Sequence, residues 1–151
     1  MSGLHVRPAR PFDGGAMADL LNEIIRIGGT TAIEGPVTGD ELREWLADAA
    51  AWHVAEDAGE IVGFQWVEHR PDLPADAVSI ATFARPGRQG LGIGSKLFEA
   101  TRAATREAGI RAIHAVIADY NDSGRAYYRS RGFERIAGAP EGKVVKLYRL
   151  R

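Results

Sequence analysis

The sequence predicts one mixed α/β domain over residues 1–151, a sheet carrying helices on both of its faces. Two observations predict it. Strand-like and helix-like periodicities alternate in the order β, α, α, three strands, α, β, α and two strands. At 151 residues, 45% of them hydrophobic, the chain is also long enough to bury a core without disulfides or a structural metal. A glycine-dense turn at residues 88–97, leading from an apparent strand into an apparent helix, adds a place where that domain can hold a ligand. No repeat, linker or low-complexity stretch interrupts the pattern.

Leu4, His5, Val6 and Arg7 alternate as a short strand. Asp13 stands where it can cap a helix whose apolar Met17, Leu20, Leu21, Ile24 and Ile25 share one face, with Gly28 and Gly29 ending it. Residues 29–36 read as a loop. Thr38 and Glu41 have the spacing of a capping box, ahead of a second helix with Leu42, Trp45, Leu46 and Ala49 as its buried stripe. Residues 52–55 and 61–67 are rich in strand formers and are joined by Asp57, Ala58 and Gly59, which suggests a hairpin; a third strand covers 77–84. Beyond the glycine turn, Ile93, Leu97, Ala104 and Ala108 line a helix that Gly109 stops, and residues 111–118 form a central strand with few charges. Residues 121–131 read as a short helix with Gly132 as its left-handed cap, followed by strands at 133–137 and 144–150.

Three glycines within five residues let the backbone of the turn come close to a ligand, and the helix that follows adds the positive end of its dipole. A P-loop would place Gly-Lys-Ser/Thr at the end of the glycine run, whereas Ser95 precedes Lys96 here. A dinucleotide fingerprint fails too, because the spacing is G-x-G-x-G and no acidic residue stands about 20 positions on. Nineteen basic against twenty acidic residues give a formal charge of −1, so nucleic acid or an anionic membrane has no global electrostatic attraction to this chain. The absence of cysteine removes disulfides, thiolate zinc sites and a cysteine nucleophile together. His5, His53 and His114 show no metal spacing, and no metal site is expected. With neither a signal segment nor a membrane-spanning apolar run in the sequence, a cytoplasmic location is the default expectation.

Gln89, Gly92 and Gly94 together resemble the Q/R-x-x-G-x-G/A signature of the GNAT acyltransferases, at that family's position between the fourth strand and third helix. Asn121, Tyr128, Gly132 and Phe133 match a second motif of the same family, correctly ordered and spaced. Residues 27–32, then Pro36, Val37, Thr38 and Trp45, are similar to the early region of its phosphinothricin and methionine-sulfoximine N-acetyltransferases. The resemblance implies a mostly antiparallel central sheet of six to seven strands, with acetyl-CoA as cosubstrate. The pyrophosphate would rest on backbone N–H groups of Gln89, Gly90, Leu91, Gly92, Ile93, Gly94 and Ser95. Thr82, Phe83 and Ala84 would pair with the pantetheine amides. Tyr128 takes the family's general-acid position and Asn121 a cofactor contact, with an N-cap as its other reading. Tyr127 is read as core or groove wall. The subgroup also implies a homodimer.

One position departs from the pattern. Ser79 stands where many relatives of the subgroup carry a glutamate, and serine cannot replace a carboxylate as base. Glu34, Glu68, His69 or Asp76 takes the amine's proton, or an ordered water chain does, or the amine arrives neutral. An α-amine with a reference pKa of about 7.7–8.0 has a substantial neutral fraction near neutral pH, whereas a lysine-like amine at about 10.4 does not. Glu34 and His69 are also candidates for contacting the acceptor. The function expected is N-acetylation of a small amine, an amino acid or a phosphinothricin-like or methionine-sulfoximine-like analogue. A protein or peptide N-acetyltransferase and a non-catalytic acyl-CoA-binding domain are the alternatives.

Overall fold

The structure, a computed structural model, describes residues 3–88 and 91–151. In chain order it comprises β1 (Leu4–Pro8), α1 (Gly14–Ile27), α2 (Gly39–Asp48), β2 (Ala51–Asp57), β3 (Glu60–Glu68), β4 (Ala77–Ala84), α3 (Ile93–Glu107), β5 (Ala112–Ala118), α4 (Asp122–Ser130), β6 (Glu134–Ile136) and β7 (Lys143–Arg149). A 3-10 turn, Pro11–Asp13, precedes α1. The seven strands form one sheet in the order β1-β2-β3-β4-β5-β7-β6, antiparallel at every pairing but β4 with β5. The element order and the mostly antiparallel sheet are those expected.

The β2–β3 hairpin turns on Ala58 and Gly59, whose φ values of 53° and 80° are the left-handed pair that a two-residue turn needs to follow strand twist. On one sheet face Met17, Leu20, Leu21, Ile24 and Leu42 from α1 and α2 pack on Trp52, Phe64, Trp66 and Phe83. The aromatic rings stack there, with Trp52 and Trp66 centroids 4.2 Å apart. On the other face Ile93 and Leu97 of α3 seat on Ala55 and Val62, and Phe98, Tyr128 and Phe133 on Val67, Val78, Ile80 and Ile113. β3 is therefore covered twice, which is why its buried run from Ile61 to Val67 is almost wholly apolar. Gln65 is the single polar exception.

Two local expectations change. Asp13 occupies the cap position of α1, but its side chain makes no capping bond. Its carboxylate instead takes two bonds from Arg7 at 2.8 Å and one from the Arg10 backbone N–H at 2.8 Å. The stripe of α3 runs through Thr101 and Thr105, not Ala104 and Ala108. Spacing by four from Ile93 and Leu97 sets that face, and Thr105 is tolerated because its hydroxyl donates back to the helix carbonyls of Thr101 and Arg102.

The parallel pair positions the site. β4 and β5 are paired only at Ala77 with Ala112, Val78 with Ile113 and Ser79 with His114, and then part. β4 continues against β3 as far as Ala84, and β5 against β7 as far as Ala118. A wedge opens between them toward their C-terminal ends.

Candidate active site

The wedge is a cavity of about 770 Å³. Its walls are residues 80–84 of β4 and 116–118 of β5; the start of α3, the inner side of α4 and loop residues 30–33 close it round. Past Ile80 the main chain of β4 has a partner strand on its β3 side only, so an extended ligand can pair with its other edge.

At the wide end α3 begins on Gly92, whose φ of 73° places it in the left-handed region. Among the described residues no side chain caps this helix, and no acidic residue lies in its first turn, so its leading N–H groups and dipole are left for a ligand. Arg131 donates from Nη1 to Ser95 Oγ at 2.7 Å and brings a guanidinium to the same end. Arg85, Arg88 and Lys143 also line the cavity, and no Asp, Glu or His is among its lining residues. Arg85 and Arg88 are paired with Glu23 and Glu60 on the rim, whereas Arg131 and Lys143 have no ion pair among the described residues. An uncapped helix start, a guanidinium and an unpaired strand edge suit a long ligand with phosphate at one end and amides along its arm. The residues present thus fit acetyl-CoA.

Tyr128 projects from α4 with 7% of its surface exposed, its Oη 2.8 Å from Thr82 Oγ1. Burial raises its pKa, opposed by the hydrogen bond with Thr82. Tyr127 donates from Oη to the Gly94 carbonyl at 2.7 Å and accepts from Gln65 Nε2 at 3.1 Å; burial pushes its pKa up to about 12. Gln65 Nε2 also donates to Thr82 Oγ1 at 2.9 Å, and its Oε1 is buried without a partner. Gln65 belongs to no motif, and the one signal for it in the sequence is a fully polar side chain within an apolar strand.

Of the candidates named from the sequence, Thr82, Phe83, Ala84, Gly92, Ile93, Gly94, Ser95, Asn121 and Tyr128 all line the wedge. Leu91 is exposed, and Gln89 and Gly90 lie outside the described residues. Gly94 has a different reason for being glycine than ligand space, since a Cβ there would come within 2.5 Å of the Tyr127 ring. The Asn121 side chain caps α4 by accepting from Gly124 N at 3.0 Å, while its Nδ2 donates to Thr30 O at 3.0 Å and ties the loop after α1 across the cavity. Glu34 is exposed and, like Glu68, is not among the lining residues. His69 and Asp76 line a separate hollow of about 470 Å³ with Asp48 and Gly109. Among the described residues no cluster of three acidic, histidine or cysteine side chains is placed to hold a metal, and no helix is long and apolar enough to cross a membrane.

Known proteins are similar to this chain in sequence and in shape. A phosphinothricin N-acetyltransferase from Streptomyces coelicolor is 30% identical over 142 residues, covering 88% of this chain and 83% of that protein. An aminoglycoside N(6')-acetyltransferase type 1 from Stenotrophomonas maltophilia is 32% identical over 137 residues, 85% of each. The structure of a phosphinothricin acetyltransferase from Sinorhizobium meliloti in complex with acetyl-CoA superposes with a TM-score of 0.83 at 21% identity, over 97% of this chain and 88% of that one. The profile of the acetyltransferase (GNAT) family matches residues 18–133. The chain belongs to that family and is an acetyl-CoA-dependent N-acetyltransferase.

Proposed function

We propose that the acceptor is the α-amine of a small amino acid bearing an acidic group, of the phosphinothricin or methionine-sulfoximine kind, and that Tyr128 is the general acid. The observation that carries this is the charge of the wedge: four cationic side chains and no carboxylate among its lining residues. Two of the cations are already paired at the rim. Arg131, at the start of α3, suits the phosphates of the cofactor; Lys143, on the strand beside Ala118, is left for an anionic acceptor. A polycationic aminoglycoside would meet like charge with no carboxylate to offset it, which costs several kcal/mol.

Acetyl-CoA, when bound, supplies an acetyl group activated as a thioester. The main chain of Thr82, Phe83 and Ala84 holds its arm and the N–H groups of Ile93, Gly94 and Ser95 its phosphates. The wedge orients the amine beside the thioester. Tyr128, kept protonated by burial, gives its proton to the leaving sulfur. With no base among the lining residues, the amine enters neutral and its surplus proton leaves through solvent. One sheet with both helical layers packed on it supports a single domain over residues 1–151. We also infer a homodimer, as the likeness to the phosphinothricin acetyltransferases implies.

Release of CoA measured across a panel of amines tests the acceptor. Phosphinothricin and methionine sulfoximine are expected to exceed an aminoglycoside and a peptide N-terminus by roughly 100-fold in kcat/KM, about 2.7 kcal/mol. An aminoglycoside turned over as well as the amino acids would overturn it.

A further inference from the structure

We propose that Gln65 and Thr82 are positioning residues for Tyr128: they fix the direction of a hydrogen-bond chain so that the Tyr128 proton is the one left pointing into the wedge. The inference rests on the reading of Tyr128 as the acid. Its members are contributed by adjacent elements, Gln65 from β3, Thr82 directly opposite on β4, and Tyr127 and Tyr128 from α4.

Counting protons gives the direction. The Gly94 carbonyl can only accept, so the single proton of Tyr127 goes to it at 2.7 Å. Tyr127 Oη must then accept at its other contact, which requires the amide nitrogen of Gln65 on that side at 3.1 Å. The same nitrogen's second proton goes to Thr82 Oγ1 at 2.9 Å. Thr82 has thereby received a proton and retains one of its own, and its remaining contact is Tyr128 Oη at 2.8 Å. If Tyr128 donated there, the Thr82 proton would be left to Tyr127 Oη, which already accepts from Gln65. If Thr82 donates, every proton in the chain is placed except that of Tyr128, which faces the cavity. The bond from Thr82 also stabilises the negative charge that Tyr128 acquires on giving up its proton, before water restores it.

The fixed donors come at a cost: Gln65, with 0% of its surface exposed, leaves Oε1 without a partner. A leucine or methionine would fill that strand position without an orphaned acceptor, so the amide earns its place through the two protons it gives. Such local violations of packing logic mark functional positions.

The test compares Thr82→Val, which keeps shape and removes the hydroxyl, with Thr82→Ser, which returns it, in both Tyr128 and Tyr128→Phe backgrounds. Thr82→Val is expected to lower kcat about 10-fold beside Tyr128 and less than about 2-fold beside Phe, with the Kd for CoA unchanged and Thr82→Ser recovering most of the loss. In the enzyme without acetyl-CoA, a difluorotyrosine placed at position 128 should titrate about one pH unit higher in the Thr82→Val protein. Gln65→Met should shift both readouts the same way. Equal losses in the two backgrounds, or an unmoved titration, would assign Thr82 a structural role and overturn the proposal. Wild-type kcat in Tyr128→Phe alone would instead remove the acid reading beneath it.

Discussion

At the scale of single residues, two neighbouring phenols with different partners divide the work. Tyr128 lines the wedge with Thr82 as the partner of its Oη, while Tyr127 Oη is held by two bonds, giving to Gly94 and taking from Gln65. Tyr128→Phe is expected to lower kcat by about 100-fold, the usual size of a general-acid contribution. Tyr127→Phe should cost about 1–2 kcal/mol of stability by leaving a buried Gln65 amide proton without its acceptor, with a smaller change in kcat. The raised pKa sets the pH dependence: a phenol whose pKa lies above its ordinary value stays protonated through neutral and mildly alkaline pH, so wild-type kcat should show no falling limb below about pH 10. Rate and urea-melt measurements on the two variants check this pair. The reverse ranking in kcat would exchange their roles.

Elements explain how far the sequence could be read. Most strands and helices were legible because one buried face sets their period, and β3 because its apolar run is buried on both faces. The Thr38 capping box with Glu41 and the left-handed Gly132 marked ends that the structure retains. What was not legible depends on pairing between distant segments. The α3 stripe shifted to Thr101 and Thr105 because tertiary packing set the face, and the hydroxyl of Thr105 satisfied itself locally. Gln65 became meaningful once β3, β4 and α4 met, 62 residues separating it from Tyr127. Likewise the absence of a base at Ser79 could be noted in the sequence, but that Glu34, His69 and Asp76 stay away from the wedge required the fold. Close approach of elements has its own test. A Cβ on Gly63 would lie 2.6 Å from Ile93 Cγ2 and 3.1 Å from the Phe83 carbonyl, so α3 sits directly on β3. Gly63→Ala should destabilise the protein by about 1–3 kcal/mol and weaken acetyl-CoA binding by displacing the start of α3. Unchanged Tm and Kd would show that α3 has room to yield.

For the whole molecule, the functional feature is a defect in the sheet. Among the described residues six strand pairings are made, and the one parallel pairing stops after three residue pairs. The sheet is packed on both faces: aromatic rings of β2, β3 and β4 lie under α1 and α2 on one, and Phe98, Phe133 and Tyr128 join β3 and β4 to β5 under α3 and α4 on the other. The wedge is thus built by the sheet itself, and a site shaped by packed secondary structure binds with a small cost of ordering. Amide hydrogen exchange with and without acetyl-CoA tests this most directly. Protection is predicted in residues 80–84 and 92–96, with none at the hollow beside His69 and Asp76. Acetyl-CoA binding that leaves both wedge segments exchanging as before, or that protects only the second hollow, would contradict the account.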